Sequence, residues 1–269
     1  MKIAFLGAGN MGGAMIRAAA GSALLDCPGG ICVYDKDSAK AERFGTECGV
    51  TVCRSNAEAV CAADVAVLAV KPIFVNDVLQ EIKDLLNGKL LVSIAAGVSV
   101  KRFTDILGEI PMVRTIPNLP AMVGEGISGI YFAHMERCPR AEEFRKTVIA
   151  LFETFGKVCV VERESLIDEM IAVTSSSPGY ICLLTEAMAD GAVRAGFPRE
   201  TAYQLVEQTL LGTARYLMET GLHPAVMKDM ICSPGGTTIE AVASLERSGF
   251  RSDILQAMDI CAKKAKNIL

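Results

Sequence analysis

Two short stretches of this 269-residue chain combine residue types whose main use is to expose main chain. "GAGNMG", Gly7 to Gly12, spaces its glycines as G-x-G-x-x-G directly after an apolar run and directly before a helical pattern. In that setting Gly7 permits a tight turn, Gly9 lets a ligand close on the backbone, and Gly12 lets the helix pack tightly. The helix start supplies unpaired N–H groups and a partial positive charge, so the chemistry is recognition of a pyrophosphate, hence of a dinucleotide. The second stretch, "ICSPGGTTIEA" (231 to 241), breaks a region rich in helix formers with a proline, two glycines and two threonines, then resumes a helix at once. An ordinary turn needs one such residue. This one is shaped to bring its backbone close to a partner.

Other residues take their meaning from the first stretch. Asp35 closes the second apolar run in "VYDKD", near the ~20-residue offset at which an acidic side chain bonds the ribose hydroxyls of a dinucleotide. That carboxylate would repel a 2′-phosphate, whereas the neighbouring Lys36 would offset the repulsion, so the cofactor is NAD(P)H with a lean to NADH. The alternative for Asp35 is a simple turn residue. "AVKP" (Ala69 to Pro72) and "SIAAG" (Ser93 to Gly97) end apolar runs where open parallel sheets bind ligands. Lys71 there either faces the cofactor or is an ordinary surface lysine.

These residues have to be positioned by a framework, and the pattern of the chain describes it. Short β-branched runs alternate with helical patterns over the first 160 or so residues, as in βαβ units on a parallel sheet. The expected strands are Ile3 to Leu6, Ile31 to Tyr34, Thr51 to Cys53, Val65 to Val70, Leu90 to Ile94, Met112 to Thr115, Gly129 to Ala133 and Val158 to Val161, with a helix over 140–155. "SNAE" (Ser55 to Glu58) fits a capping box. Beyond Glu162 strand signals stop, and helices are expected near 164–173, 178–195, 199–219, 224–231, 237–248 and 251–267. The fold class is therefore α/β: a Rossmann-type dinucleotide-binding domain over 1–162, then an all-α domain over 163–269 for substrate binding and dimerisation. "EAMADGAVRAG" (186 to 196) crowds small residues onto one helix, which lets another helix approach. The apolar surface of so short a helical segment points to burial against a second copy, giving a homodimer or higher homo-oligomer.

Composition removes several function classes. A net charge of −4 from 27 basic and 31 acidic residues, without a basic run, leaves no footprint for nucleic acid or an anionic membrane, so the partner is a small molecule or a protein. Hydrophobic residues make up 51% of the chain, yet runs such as "VAVLAV" fall short of the ~18 to 20 residues a membrane span requires. The N-terminus reads as a strand and not as a signal segment, so no export is expected. Ten cysteines (27, 32, 48, 53, 61, 138, 159, 182, 232 and 261) show no C-x-x-C spacing, and His134 and His223 show no ligand spacing. A reduced, cytoplasmic setting without a metal site is the expectation.

"GAGNMG", "AVKP", "AAGV", "RTIPNLP" (Arg114 to Pro120), "DEMIAVTSSSPGY" (Asp168 to Tyr180), "ADGAVRAGFPRETA" (Ala189 to Ala202) and "SPGGTTIEAVASLE" (Ser233 to Glu246) stand in the order and spacing found in pyrroline-5-carboxylate reductases. The chain resembles that family over essentially its whole length. The last motif is the most diagnostic, since many families share a Rossmann fingerprint.

The resemblance implies reduction of the C=N bond of Δ1-pyrroline-5-carboxylate to L-proline with NAD(P)H, the last step of proline synthesis. A helix start preceded by Gly-Gly offers N–H groups to the substrate carboxylate, so Ser233, Gly235, Gly236, Thr237 and Thr238 become an anion seat. Thr237 and Glu240 fit a T-x-x-E capping box, which leaves Thr238 free of capping. By resemblance Thr238 is the catalytic residue, hydrogen-bonding the ring nitrogen and assisting its protonation, with water the alternative proton source. Also by resemblance Leu6, Gly7, Ala8, Gly9, Asn10 and Met11 contact the pyrophosphate region, and Tyr34 and Asp35 the adenosine ribose. Asn56, Val70, Lys71 and Ala96 contact the cofactor elsewhere, and Glu164 contacts substrate; Asn56 and Glu164 also read as ordinary first-turn helix residues. The chain departs from the family where G-S-G-P-A-Y is usual and residues 175–180 read S-S-S-P-G-Y, and where Met230 replaces a polar residue.

Two rivals are weaker. β-Hydroxyacid dehydrogenases share the architecture but use a catalytic lysine on the first long helix of the second domain, and residues 164–200 contain none. A catalytically silent NAD(P)-binding oligomer would be marked by a damaged S-P-G-G-T-T, which is intact here.

Overall fold

The computed structural model describes residues 1–22 and 30–265. Cys27 and the last two positions of the helix expected over 251–267 lie outside the described residues. By compactness the chain divides into two units, one of residues 1–175 with those from Cys261 onward, the other Ser176–Ile260.

The first unit is built on one eight-stranded sheet: β1 (Ile3–Leu6), β2 (Ile31–Tyr34), β3 (Thr51–Val52), β4 (Val65–Leu68), β5 (Leu90–Ser93), β6 (Met112–Ile116), β7 (Gly126–Ala133) and β8 (Gly156–Val160), in spatial order β3-β2-β1-β4-β5-β6-β7-β8. The order reverses between β1 and β4, and the crevice at such a switch point is where doubly wound sheets bind ligands. Strands such as IAFL and VAVL are apolar at every position because both faces are covered. Phe5, Val33, Val67, Val92 and Val113 pack on one side with Met15 and Ile16 of α1 (Asn10–Ala20), Phe44 of α2 (Ser38–Cys48) and Phe144 of α6 (Ala141–Glu153). Ala4, Leu6, Leu68 and Leu91 pack on the other with Val60 of α3 (Asn56–Cys61), Leu79 of α4 (Val75–Ile82) and Phe103 of α5 (Val100–Leu107).

The alternating pattern suggested a wholly parallel sheet, and one pairing departs from it: β7 runs antiparallel to β6. The connection over 117–125 is too short for a crossover of a dozen or more residues, so the chain can only fold back. The nine described cysteines are free thiols, and burial, with Cys53 beside it, pushes the Cys32 thiol up to about 12, as befits a cysteine used as a small hydrophobe.

After β8 come α7 (Ser165–Met170), which packs on β6 and β7, and a π-helical stretch, Ile171–Ser175. Then follow α8 (Ser177–Arg194), α9 (Arg199–Thr220), α10 (Pro224–Ile231), α11 (Thr237–Arg247) and α12 (Phe250–Ala265). In the second unit Ala189, Ala202 and Val206 form a small core with Ala192, Val193, Tyr203 and Leu210, so the small residues of α8 do bring α9 close. Most other apolar side chains there are bare: Leu183 is 68% exposed and Met218 71%. No helix among the described residues is long and apolar enough to cross a membrane.

Candidate active site

The turn after β1 is forced by its neighbours. Gly7 has φ +106, its N–H donates to the Tyr34 carbonyl at 2.8 Å, and a Cβ there would sit 2.6 Å from the Ala69 carbonyl oxygen. Only glycine fits both conditions. Gly9 is different: its backbone is extended, it lies at the exposed N-cap of α1, and a Cβ there would meet nothing within 4 Å. The open volume above Gly9 is the approach a pyrophosphate needs. The first helical bond is Gly13 N–H to the Gly9 carbonyl at 2.7 Å; α1 has no side-chain cap and no acidic residue in its first turn. The amides of Asn10, Met11 and Gly12 therefore open α1 with no acidic residue in its own first turn. Gly12 packs against the Gly7 carbonyl, and Gly13, which the motif does not include, lets α1 close on Phe44.

Asp35 braces this loop: Oδ2 accepts from Ala8 N at 2.6 Å and Oδ1 from Asp37 N at 2.9 Å. The adjoining Tyr34 is partly exposed. Val70 is partly exposed and Lys71 exposed at the end of β4, and Ala96 is partly exposed in the loop after β5. Asn56 opens α3 and is buried, its Nδ2 donating to Glu81 Oε2 at 2.6 Å. The Ser55 cap expected there forms, its Oγ accepting from Glu58 N at 3.1 Å, while the Glu58 carboxylate reaches Arg54 N.

In the second unit the S-P-G-G-T-T turn puts Gly235 at φ +67, and Gly236, with an extended backbone, becomes the N-cap of α11. The capping box expected of Thr237 and Glu240 does not form. The helix starts one residue earlier than that box requires, so Thr237 occupies the first helical position and α11 has no side-chain cap. Gly236 N donates to the Ser233 carbonyl at 3.0 Å, and a Cβ on Gly236 would run into Ser233 Oγ. This leaves the amides of Thr237, Thr238 and Ile239 at the mouth of the helix, with Thr238 partly buried and Ser233, Gly235 and Thr237 exposed around it. Met230, in α10, is 65% exposed.

Glu164 is held in place. Its Oε1 accepts from Val100 N at 2.7 Å and from Arg114 Nη1 at 2.8 Å. Arg114, 3% exposed in β6, also donates to both carboxylate oxygens of Asp168. Neither Arg114 nor Asp168 was singled out for chemistry in the sequence, although an arginine inside the apolar run "MVRTI" signals a buried partner. Asn118 was missed as well: its Nδ2 donates to the Thr174 carbonyl at 3.0 Å and its Oδ1 accepts from Ile127 N at 2.9 Å, tying the π-helical stretch to β7. In that stretch the Oγ of Ser175, where the family pattern has glycine, is buried without a partner.

A glycine-lined, uncapped helix start at the carboxyl edge of a parallel sheet, joined in sequence to a helical unit, defines a dinucleotide-dependent oxidoreductase. Comparison with known proteins agrees. The family model for NADP oxidoreductase, coenzyme F420-dependent, matches residues 2–97, and that for pyrroline-5-carboxylate reductase dimerisation matches residues 164–268. The pyrroline-5-carboxylate reductase of Escherichia coli K12 is 39% identical over 99% of this chain and 98% of its own. A solved pyrroline-5-carboxylate reductase from Coxiella burnetii superposes with a TM-score of 0.91 at 32% identity, covering 99% of this chain and 97% of that one. The Plasmodium falciparum enzyme, solved with NADP bound, gives 0.85 at 28% identity over 99% and 97%. The chain belongs to the pyrroline-5-carboxylate reductase family.

Proposed function

We infer that the chain reduces the C=N bond of Δ1-pyrroline-5-carboxylate to give L-proline, with NAD(P)H as the reductant. The observation that carries this reading is that each unit presents a helix whose first amides are flanked by glycine and left without a side-chain cap: α1 for a pyrophosphate, α11 for a carboxylate. Residues 1–162 take the dinucleotide and 163–269 the substrate and the second subunit. When bound, the reduced nicotinamide supplies a hydride to the ring carbon of the imine. The chain's own residues do the rest. Gly7, Gly9 and the amides of Asn10 to Gly12 seat the pyrophosphate beside Leu6 and Ala8, Tyr34 and Asp35 take the adenosine ribose, and Asn56, Val70, Lys71 and Ala96 line the remainder. Ser233, Gly235, Gly236 and Thr237 seat the substrate carboxylate, and Glu164 contacts the substrate. Thr238 holds the ring nitrogen while it gains its proton, with water as the source, because a hydroxyl is a poor acid near neutral pH. The described cysteines, all free thiols, support a reduced, cytoplasmic setting.

The test is direct. Purified protein mixed with NADH or NADPH and pyrroline-5-carboxylate is expected to consume the reduced nicotinamide only when the imine is present. No imine-dependent loss with either cofactor would end the reading.

Two further expectations arise here. Because the second unit leaves so much apolar surface bare, the chain is a homodimer or higher homo-oligomer, and sedimentation at micromolar concentration should show no monomer. A stable monomer would contradict this. Asp35→Ser keeps an acceptor for Ala8 N–H but removes the charge, and should shift the NADH:NADPH ratio of kcat/KM toward NADPH about tenfold, the worth of one charge-assisted hydrogen bond. An unchanged ratio would remove Asp35 from cofactor choice.

A further inference from the structure

The sheet register aligns Arg114 with the residues at the carboxyl ends of the parallel strands. Leu6 pairs with Tyr34 and Leu68, Leu68 with Ser93, and Ser93 with Arg114, so these residues form one row along the carboxyl edge. A dinucleotide at the switch point spreads to both sides of it. With the adenosine ribose on the β2 side at Asp35, the loops after β4 and β5 are left to the nicotinamide half. The loop over 94–99, which carries Ala96, is fixed at one end by Ile94 N–H donating to the Leu68 carbonyl at 3.2 Å. Its other end is the start of α5, where Ser99 Oγ accepts from Arg102 N and Val100 N–H donates to Glu164 Oε1. That same oxygen is the one Arg114 holds.

We propose that Arg114 is a positioning residue for the reaction: through Glu164 it anchors the 94–99 loop that faces the nicotinamide half of the dinucleotide, an assignment that rests on the reductase reading. A buried guanidinium persists only where carboxylates and hydrogen bonds offset its lost hydration, and Glu164 and Asp168 do so here. Those two carboxylates stand one helical turn apart and would repel each other without the arginine between them. Remove it, and Glu164 turns to solvent and releases the Val100 amide. The planar fork matters as well as the charge, since Arg114 serves both carboxylates at once.

Two full-length variants test this. Arg114→Lys keeps the charge and loses the fork. Val100→Pro removes only the N–H that Glu164 accepts, at the first helical position, where proline is tolerated, and after Ser99, whose φ of −78° and ψ of 156° suit a following proline. Dissociation constants for NADH and NADPH, read from nicotinamide fluorescence, and the KM for each are expected to rise roughly tenfold in both variants, with a smaller change in the KM for the imine in Val100→Pro, which leaves the Arg114–Glu164 pair in place. A lowered melting temperature with unchanged dinucleotide dissociation constants and KM values in both would overturn the proposal, making the cluster a bolt for α7 alone. If Arg114→Lys does not fold, Val100→Pro, which touches no charge, decides by itself. Failure of the wild type to turn over pyrroline-5-carboxylate while still binding dinucleotide would sink the reductase reading and leave this comparison readable.

Discussion

Gly9→Val is expected to leave the fold intact and to weaken NADH and NADPH binding by about 10- to 100-fold, as expected from losing one or more hydrogen bonds to a charged group. The reason is geometric. The Gly9 backbone is one that any residue adopts, and nothing protein-derived lies within 4 Å of its missing Cβ, so valine costs the fold almost nothing. The same valine fills the space through which a pyrophosphate must approach the first amides of α1. Gly7→Ala is the contrasting control. At φ +106, with the Ala69 carbonyl oxygen 2.6 Å from the new Cβ, alanine must open the β1–α1 turn, so stability and binding fall together. Thermal melts with nicotinamide fluorescence on both variants separate the cases. If Gly9→Val binds as tightly as the wild type, the pyrophosphate does not lie over Gly9.

Thr238→Ala should lower kcat by about 10- to 100-fold, at the low end of what a positioned proton-transfer group contributes, and leave NAD(P)H affinity unchanged. Thr238 sits at the second position of α11, where no cap is needed of it, so its loss removes a hydroxyl without removing a structural bond that the helix depends on. Thr238→Ser, which restores a donor and acceptor, should recover most of the rate. Equal losses of turnover and cofactor affinity would assign Thr238 a structural role instead.

Most of the framework was legible in the sequence because its signals are local. Apolar runs marked β1, β2, β4 and β5, the first two ended by Gly7 and Asp35, and the helices of the second unit fell between Gly and Pro breaks. What escaped depends on contacts distant in sequence. The reversal of β7 follows from the length of a connection, and its strand begins at Gly126, in a glycine-containing stretch that carries little strand signal. The π-helical stretch Ile171–Ser175 is tied by Thr174 to Asn118, 56 positions away. Arg114, Glu164 and Asp168 were each visible, Arg114 and Asp168 only as letters in motifs, yet their meeting required the fold to bring α7 onto β6. The capping box drawn from Thr237 and Glu240 failed because two residues three apart do not by themselves fix where the helix starts, and Gly236 made a start one residue earlier available.

The most direct measurement uses NAD(P)H carrying deuterium at the transferring position of the nicotinamide. Incubated with the protein and pyrroline-5-carboxylate, it should yield L-proline with one deuterium on the ring carbon that was double-bonded to nitrogen, and the proton on nitrogen should come from solvent. Proline formed without the label, or label retained on the nicotinamide while the imine persists, would contradict the account.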